Sequence, residues 1–309
     1  MSELKLLQCR LDGRYDIEEC LSRGSYAEIY VARDRAATDE KFRRVVIKAL
    51  NVLLQGYQDP ELEHTLIQNF QNEAIALDRV RHPNIISRLG HGTALDLNGT
   101  AFHYIVLEYL GGGDLAALAR HQTLALEKAL FYLQQVCSGL AHAHVSGVIH
   151  RDIKPENVML RPRGYVKVLD FGLAKALADD PAAEDVSNSP TLSMAATRQG
   201  VILGTAAYMS PEQAKGKVVD RRADVWAFGA VLYEMLTGKQ LFTGDSIAET
   251  LAAVIKEEPA LDNLPPSTPA PIRNLLRRCL DRNVRRRLVH IGEARIAIED
   301  VFAGTTAAQ

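Results

Sequence analysis

The sequence predicts an α+β fold with two lobes: a small antiparallel β-rich N-terminal lobe that carries one helix, and a larger, mainly helical C-terminal lobe. Short β-prone runs separated by turns fill residues Tyr15–Lys48. The glycine run Gly111–Gly113, followed by Asp114, then interrupts the pattern as a hinge does. From Asp220 onward, runs with helical periodicity dominate the chain. We therefore expect the boundary between the lobes near Leu110.

The predicted first lobe begins with three strands and contains one helix. The runs YDIEECL, EIYVARD and RRVVIKAL alternate β-prone residues with turn signals, which indicates a three-strand meander. From Pro60 to Arg81 apolar residues recur at helical spacing, and His82-Pro83-Asn84 stops that helix. Two further strands are expected in NIISRLG and YIVLEYL. The first lobe should therefore be a sheet with one helix.

The predicted second lobe is mostly helical. Helical periodicity runs through LEKALFYLQQVCSGLAHAHVSG and returns later in ADVWAFGAVLYEML, SIAETLAAVIKEE, APIRNLLRRCL and IGEARIAIEDVF. Between these regions, residues 176–203 are rich in Ala, Asp, Ser, Thr and Pro and show no sustained periodicity. A loop of this length in a compact domain is usually functional or disordered.

Composition and charge exclude several classes of function. The chain has 309 residues, 47% of them hydrophobic, enough for one large core or two smaller ones. Its 36 Lys and Arg against 38 Asp and Glu give a net charge of -2, which offers no field to attract nucleic acid or an anionic membrane. The four cysteines lack the paired spacing of a zinc or redox site. No run reaches membrane-span length, and the first residues lack a signal-peptide core. We expect a cytoplasmic protein without nucleic-acid or membrane partners.

The strongest chemical signal is the run His150-Arg151-Asp152-Ile153-Lys154-Pro155-Glu156-Asn157, followed after a β-prone stretch by Asp170-Phe171-Gly172. Phosphoryl transfer needs a carboxylate to accept the proton of the incoming hydroxyl, a cation beside the transferred phosphate and oxygen ligands for a metal ion. The two runs contain these residue types. In this order they resemble the catalytic loop and the metal-binding triplet of protein kinases. The resemblance implies the bilobal protein kinase fold, with ATP in the cleft between the lobes.

The resemblance also implies a role for each polar residue of these runs. Asp152 is expected to be the base that orients the substrate hydroxyl, and Lys154 to steady the γ-phosphate. Asn157 and Asp170 are expected to hold Mg²⁺ or, in its place, Mn²⁺. A surface loop with scattered charges is the alternative, but it does not explain why both runs occur in the kinase order.

Two residues upstream match a further pair of the family. Lys48 ends a predicted strand and Glu73 lies on the predicted helix, as do the lysine and glutamate that together grip the α- and β-phosphates. Alone, each would more often be a solvated charge. Their order and flanking structure favour the catalytic pair.

The glycine-rich phosphate loop departs from the family pattern. Only Gly24 remains, while Ser22 and Ala27 stand where the first and last glycines are expected. A side chain costs roughly 1 to 2 kcal/mol at either position if the backbone there must be left-handed. Val46 replaces the usual alanine over the adenine. The remaining nucleotide-binding residues that the resemblance implies are Ile29, Glu108, Leu110, Asp114 and Met159. We expect a weaker ATP affinity than is usual in the family.

The run GTAAYMSPE at Gly204–Glu212 resembles the kinase segment that receives the protein substrate. Thr205 is expected to touch the catalytic base and its neighbouring lysine. Glu212 is expected to form a buried pair with one of three adjacent arginines, and register favours Arg287 over the other two. Asp224 opens the predicted central helix and is expected to support the backbone of the catalytic loop.

Within the kinases, GTAAYMSPEQAKGK and HRDIKPENVML look most like the eukaryotic-like (Hanks-type) serine/threonine kinases of bacteria. The resemblance implies transfer of the γ-phosphate of ATP to Ser or Thr of protein substrates. It divides the chain into an N-terminal extension 1–14, an N-lobe 15–110, a C-lobe 111–303 with an activation segment 170–212, and a tail 304–309.

The activation segment carries several possible phosphorylation sites: Ser187, Ser189, Thr191, Ser193 and Thr197. In the family, an arginine placed like Arg151 often binds a phosphate on this segment and orders it. We therefore expect autophosphorylation, with a transient homodimer as its route. A tolerated low-complexity insertion is the alternative.

Two other functions are compatible with parts of the sequence. A pseudokinase scaffold is suggested by Ser22, Ala27 and Val46, although the residues that carry the chemistry are intact. A small-molecule kinase on the same scaffold is disfavoured, because a compact metabolite does not need the long peptide-receiving segment.

Overall fold

The computed structural model describes residues 4–24, 27–40, 43–51, 60–121, 124–171 and 205–307. The chain separates into two compact units. The first consists of Met1–Arg81 and Ile86–Leu110, and the second of His82–Ile85 and Gly111–Gln309. The chain therefore passes from one unit to the other after Arg81, after Ile85 and after Leu110.

The first unit is built on one six-stranded sheet in which all neighbouring strands are antiparallel. Its strands are β1 Arg10–Leu11, β2 Tyr15–Arg23, β3 Ala27–Asp34, β4 Arg44–Leu50, β5 Arg88–Leu95 and β6 Ala101–Glu108. Across the sheet they lie in the order β1-β2-β3-β4-β6-β5. The predicted meander is confirmed, because β2, β3 and β4 are neighbours both in the chain and in the sheet.

β5 begins later than the sequence predicts. The pattern favours a strand from Asn84, whereas β5 starts at Arg88, so the prediction is wrong for residues 84–87. In the second unit, the Asn84 side chain donates to the carbonyl of Val166 at 3.0 Å. Ile85 forms an isolated parallel bridge with Val168 of that unit. An alternating pattern gives a local preference for extended backbone, but it does not identify the partner strand.

The helix of the first unit, α1, extends over Pro60–Arg79. A proline is tolerated in its first turn, because the N–H that proline lacks would have no partner within the helix. Phe70, Ala74 and Leu77 are buried, as their helical spacing predicts. The same helix carries Glu73.

Residues 4–11, here called the N-terminal segment, pack on one face of the sheet. Leu4, Leu6 and Leu11 are buried in an apolar cluster with residues of β2, β3, β4 and β6. Complete burial of a leucine side chain contributes about 1.5–3 kcal/mol. The backbone N–H of Lys5 donates to Asp96 at 3.2 Å, and its carbonyl accepts from Leu97. The N-terminal segment is therefore part of the core of the first unit.

The second unit is mainly helical and contains one two-stranded antiparallel sheet. Its elements are α2 Leu115–His121, α3 Leu126–Val145, β7 Val158–Leu160, β8 Val166–Val168, α4 Pro211–Ala214, α5 Arg222–Thr237, α6 Ile247–Lys256, α7 Ala270–Cys279 and α8 Ile291–Ala307. Among the described helices of both units, none combines the length and the apolar character needed to cross a membrane.

α5 lies in the core of the second unit. Every residue from Ala223 to Tyr233 is buried, so that the helix meets protein on all sides. The helix ends at Gly238, whose φ of 68° is a left-handed conformation that glycine adopts without strain. The helical prediction for ADVWAFGAVLYEML is confirmed.

An ion pair fixes the end of β3 in the first unit. The buried carboxylate of Asp34 accepts hydrogen bonds from Nε and Nη2 of Arg14, each at 2.7 Å, and from the backbone of Ala36 at 2.9 Å. The bond from Arg14 lowers the pKa of Asp34 below its ordinary value, against the opposing effect of burial. Asp34 therefore stabilises the fold as a carboxylate.

We predict that Asp34→Asn lowers the free energy of unfolding at neutral pH by about 1–2 kcal/mol, because charge-assisted hydrogen bonds to a half-exposed arginine are lost. The pKa of Asp34 is lower in the folded state than in the unfolded state. Asp34 thus makes its full contribution to the free energy of unfolding above the unfolded-state pKa of about 3.9. That contribution disappears as the pH falls through the pKa of Asp34 in the folded state. Urea denaturation from neutral to acidic pH should show the two proteins converging in acid.

The exposed pair between Glu18 and Arg33 provides the control. Glu18→Gln should change the free energy of unfolding by less than about 0.5 kcal/mol. An equal loss in both variants, or a difference that does not depend on pH, would contradict the role given to Asp34.

Candidate active site

A buried carboxylate holds the loop between α3 and β7. Asp224, near the start of α5, accepts the backbone N–H groups of His150 at 2.8 Å and Arg151 at 2.7 Å. Nε2 of His144 lies 2.7 Å from the same carboxylate. Burial alone would raise the pKa of Asp224, but the hydrogen bond with His144 and the other polar contacts hold the pKa below its ordinary value. The predicted contact of Asp224 with the loop backbone is confirmed.

Two residues of the predicted site region have left-handed backbone conformations. Arg151 has a φ of 67° and Asp170 a φ of 48°. Such conformations cost about 1 kcal/mol or more for residues other than glycine, and they persist where surrounding contacts enforce them. The ring of His150 contacts the carbonyl of Leu169 at 2.6 Å and packs against Phe171 at 4.7 Å between ring centroids. These contacts, together with Asp224, hold both strained residues.

Asp152 lies in a network with three other residues of the second unit. Its Oδ2 is 3.2 Å from Nζ of Lys154 and accepts from Nδ2 of Asn157 at 3.2 Å. The Asn157 amide also donates to the carbonyl of Asp152 at 2.8 Å, and Lys154 donates to Oγ1 of Thr205 at 2.8 Å. The side chain of Asp152 is 23% exposed, so the carboxylate is not closed off by the network. The structure brings together four residues that the sequence singled out.

The residues proposed for the metal ion suit a hard divalent cation. The amide nitrogen of Asn157 is engaged with Asp152, which leaves the amide oxygen as its metal-binding atom. Asp170 follows Leu169, whose N–H donates to the carbonyl of Asn157 at 2.8 Å. One carboxylate and one amide oxygen are a donor set that suits Mg²⁺, which usually takes its other ligands from water and phosphate. Within the described ranges, no cluster of three or more His, Cys, Asp or Glu forms an alternative metal site.

In the first unit, Lys48 and Glu73 form an ion pair. Nζ of Lys48 donates to Oε1 of Glu73 at 2.7 Å, and each side chain is 13% exposed. Lys48 lies on β4 and Glu73 on α1, so the pair joins the helix to the sheet. The pair predicted from the order of the sequence is therefore formed.

The predicted nucleotide-binding residues of β3 and β4 share one face of the sheet. Ile29 is paired with Lys48 across the two strands, and Ala27 and Val46 lie on the same face by strand alternation. All four are partly exposed, in contrast to the buried residues on the opposite face. The structure therefore presents a partly open apolar surface beside the lysine.

Gly24 lies in the hairpin between β2 and β3, where the space for a side chain is tight. Its N–H donates to the carbonyl of Ala27 at 2.8 Å, and a Cβ at this position would lie 3.2 Å from that oxygen. Ser22 and Ala27 belong to the flanking strands, and neither has a positive φ. The backbone cost considered for these two residues therefore does not arise in this conformation.

The other predicted nucleotide-binding residues fall in both units. In the first, the N–H of Glu108 donates to the carbonyl of Ser87, its carboxylate accepts the N–H of Ser87, and Leu110 is buried. In the second, Asp114 forms an antiparallel bridge with Met159 and accepts the N–H of Ala117 at 2.5 Å. Asp114 and Met159 are therefore neighbours, although they are distant in sequence.

The end of the substrate segment is fixed by a buried ion pair. Arg287, 1% exposed, donates to both carboxylate oxygens of Glu212, at 2.6 and 3.1 Å. It also donates to the carbonyls of Asp281 and Arg222. Arg286 is exposed and contacts Asp281 instead. The choice of Arg287 by register is confirmed.

Sequence reasoning missed two contacts of this segment. The hydroxyl of Tyr208 donates to the carboxylate of Glu234 on α5, and Gln213 donates to the carbonyl of Arg151 at 2.9 Å. Burial raises the pKa of Glu234, against the effect of the hydrogen bond from Tyr208. Neither contact has a local signal, because the partners are far apart in the chain.

The structure does not describe residues 172–204. The glycine of the metal-binding triplet and all five predicted phosphorylation sites therefore lie outside the described residues. Their assignment rests on the sequence alone.

We predict that Arg287→Ala lowers the free energy of unfolding by about 3–5 kcal/mol, because Glu212 keeps a buried charge without its partner. Chemical denaturation monitored by circular dichroism measures this change.

Arg286→Ala is the matched control, since the neighbouring arginine is exposed and should contribute less than about 1 kcal/mol. Equal effects of the two substitutions would show that burial of the Arg287 pair does not determine its contribution.

Comparison with known proteins adds independent information. A family model described as protein kinase domain matches residues 15–298. The chain is 36% identical over 251 residues to a probable serine/threonine-protein kinase, SCO3848, of Streptomyces coelicolor. That alignment covers 81% of this chain and 34% of the relative. It is 36% identical to serine/threonine-protein kinase PknB of Mycobacterium tuberculosis, over 83% of this chain and 37% of the relative. It is 38% identical to serine/threonine-protein kinase pkn3 of Myxococcus xanthus, over 80% of this chain and 42% of the relative.

The chain thus spans between about a third and two fifths of the length of these relatives. The family match, by contrast, extends over most of the chain and includes both units. The expected fold, an antiparallel β-sheet unit followed by a helical unit, is the one observed. The chain therefore belongs to the protein kinase family and is related to the Hanks-type serine/threonine kinases of bacteria.

Proposed function

We propose that the protein is a serine/threonine protein kinase that transfers the γ-phosphate of ATP to hydroxyl groups of protein substrates. The observation that carries this proposal is the network around Asp152. One carboxylate oxygen contacts both Lys154 and Asn157, and Lys154 also contacts Thr205. This arrangement places a base, a cation and a metal-binding amide within a few ångströms of one another, as phosphoryl transfer requires.

In the proposed reaction, Asp152 accepts a hydrogen bond from the substrate hydroxyl and takes its proton. A bond forms between the hydroxyl oxygen and the γ-phosphorus, while the bond from that phosphorus to the bridging oxygen breaks and ADP leaves. Asn157 orients the Asp152 carboxylate through its amide. The proton and the phosphoryl group are thus both accounted for.

Lys154 is proposed to stabilise the charge of the transferred group. Its side chain is 15% exposed and lies between Asp152 and Thr205, which hold the ammonium in place. Lys48, held by Glu73 at 2.7 Å, is proposed to bind the α- and β-phosphates. Ser22, Gly24, Ala27, Ile29, Val46, Glu108, Leu110, Asp114 and Met159 complete the proposed nucleotide contacts.

Asn157 and Asp170 are the proposed ligands of Mg²⁺, or of Mn²⁺. When bound, the cation would neutralise phosphate charge and so favour transfer. Their oxygen donor set supports this assignment.

We propose that the substrates are proteins and that the enzyme acts in the cytoplasm as a signalling kinase. The substrate segment supports a protein substrate, because Glu212 is anchored to Arg287 in the second unit. Cys9, Cys20, Cys137 and Cys279 form no disulfide, as expected in a reducing compartment that supplies ATP. With a net charge of -2, nucleic acid is not a proposed partner.

A pseudokinase scaffold is the second candidate function. The side chains of Ser22 and Ala27 in place of glycine, and of Val46 in place of alanine, favour it, because they limit the close approach of phosphate and of adenine. The paired Lys48 and Glu73 and the Asp152 network favour an enzyme, since a scaffold does not need them. The two functions differ in one measurable property, which is phosphoryl transfer.

We predict that Asp152→Asn lowers kcat by roughly 10²- to 10⁴-fold, because the general base is lost. Binding of ATP should change little, since Asp152 acts on the hydroxyl. The assay incubates wild type and variant with Mg²⁺, γ-labelled ATP and a generic protein substrate. Calorimetric titration with ATP and Mg²⁺ then measures nucleotide binding to both.

Label on Ser or Thr with the wild type alone supports the kinase. Nucleotide binding without transfer by the wild type would support the scaffold instead. Equal transfer by the two proteins would remove Asp152 from its proposed role.

We predict autophosphorylation of the activation segment on one or more of the five Ser and Thr residues at positions 187–197. Each phosphate adds a charge of about -1.5 to -2, which Arg151 is proposed to bind. Mass spectrometry of the wild type after incubation with ATP identifies the sites. A rate that rises with protein concentration supports transfer within a transient homodimer, whereas an active preparation without modification of this segment would refute the prediction.

A further inference from the structure

Glu28, on the face of the sheet opposite Lys48, is a fully buried carboxylate of the first unit. Its Oε1 accepts the backbone N–H of Leu4 at 3.1 Å and Nδ2 of Asn51 at 2.6 Å. Its Oε2 accepts the hydroxyl of Tyr30 at 2.5 Å and lies 3.5 Å from Nε of Arg23. The four partners come from the N-terminal segment, the end of β4, β3 and the last residue of β2.

The buried carboxylate of Glu28 is stabilised only as long as its hydrogen-bond donors are present. A buried carboxylate that loses a donor keeps the cost of its desolvation, which is larger than the net gain from an ordinary hydrogen bond. Arg23, whose side chain is 44% exposed, forms an ion pair with Glu28 at 3.5 Å. Burial and the hydrogen bond with Glu28 raise the pKa of Tyr30, so its hydroxyl stays a donor at neutral pH. Glu28 therefore depends on three neutral donors, from Leu4, Tyr30 and Asn51, in addition to Arg23.

The strand pairing at this place is irregular. Register shifts interrupt the ladder between β2 and β3 at Ile17/Glu19 and again at Cys20/Ser22. Beyond the second shift the pairing resumes, with Ser22 opposite Ile29 and Arg23 opposite Glu28, so that Glu28 lies at the base of the hairpin. Glu28 joins the end of β2 to β3 and β4 through side chains, and it immediately follows Ala27 at the hairpin.

We infer that Glu28 is a positioning residue for ATP: by binding Leu4, Tyr30, Asn51 and Arg23, its carboxylate holds the base of the hairpin, at Gly24 and Ala27, in the position that nucleotide binding requires. The inference rests on the proposed function, which assigns this hairpin to the nucleotide.

The N-terminal segment then takes part in nucleotide binding without touching the nucleotide. Leu4 supplies a donor to Glu28 through its backbone, while Leu4 and Leu6 anchor the segment in the apolar cluster. A hydrophobic residue at position 28 could fill the same space. It could not receive donors from separate parts of the chain, and this directional role explains why a carboxylate occupies the position.

The test compares Glu28→Gln with the wild type by calorimetric titration with a non-hydrolysable ATP analogue and Mg²⁺. We expect the Kd to rise about fivefold, the equivalent of one hydrogen bond. The KM for ATP should rise in parallel, while kcat and the KM for the protein substrate stay within about twofold of wild type. Tyr30→Phe, which removes one donor and keeps the ring, should raise the Kd in the same direction.

Asp34→Asn is the matched control, since Asp34 is a buried carboxylate of the same strand at the end away from the hairpin. It should lower stability and leave the Kd unchanged. A Kd for Glu28→Gln and Tyr30→Phe equal to that of wild type would overturn the inference, and so would an equal rise in Asp34→Asn. A reduced kcat at unchanged Kd would indicate only a smaller folded fraction and would also overturn it.

Removal of residues 1–6 tests the connection to the N-terminal segment. The truncation should raise the Kd in the wild type and have a smaller additional effect in Glu28→Gln, because both changes act through one carboxylate. Additive effects would overturn this connection.

The titration also separates this inference from the proposed function. A wild type that binds the analogue but transfers no phosphate would refute the kinase and leave the comparison of Kd values decisive for Glu28. A wild type that binds no nucleotide would overturn both.

Discussion

Asp224 places a carboxylate inside the core of the second unit, and the conformation of the loop between α3 and β7 depends on it. The charge is tolerated because two backbone N–H groups and His144 bind it near the N-terminus of α5, where the helix dipole favours a negative group. The hydrogen bond from the N–H of Arg151 to this carboxylate helps to hold Arg151 in its left-handed conformation. That conformation directs the next residue, Asp152, toward Lys154 and Asn157. The candidate site thus inherits its geometry from a residue outside the network of Asp152, Lys154 and Asn157.

Glu28 has a comparable position in the first unit. Both carboxylates are fully buried, and both receive donors from the backbone as well as from side chains. Apolar packing would give either unit a stable core, but it specifies direction poorly. Hydrogen bonds to a buried charge fix both distance and angle. Each unit thus uses a buried carboxylate where a segment of irregular backbone has to be held in one conformation.

The part of the site that the sequence predicts well is local. Asp152, Lys154 and Asn157 lie within one short run, and their mutual contacts follow from the loop that contains them. Register within the run of three arginines is enough to select Arg287 as the partner of Glu212. Contacts between distant segments could not be predicted. The burial of Leu4 and Glu28 depends on a face of the sheet that exists only after β3, β4 and β6 have paired.

Two further features were hidden for related reasons. The partner of Tyr208, Glu234, faces it only because the substrate segment packs against α5, and an acidic residue within an otherwise apolar helix gives no sign of its partner. The residues before Arg88 read as part of β5, since extended backbone looks the same in sequence whether it joins one sheet or another. A sequence pattern predicts the local conformation of a segment, whereas the tertiary fold determines which other segment it pairs with.

The short stretch His82–Ile85 has a consequence for synthesis of the chain. It belongs to the second unit and contacts β8, whose residues leave the ribosome some eighty positions later. β5 and β6 complete the sheet of the first unit only after this stretch has been made. During translation the first unit can therefore complete its sheet before β8, the partner of these four residues, has been synthesised. A cut at one peptide bond cannot separate the two units. A fragment that ends at Leu110 would contain His82–Ile85 without the β8 strand that they contact.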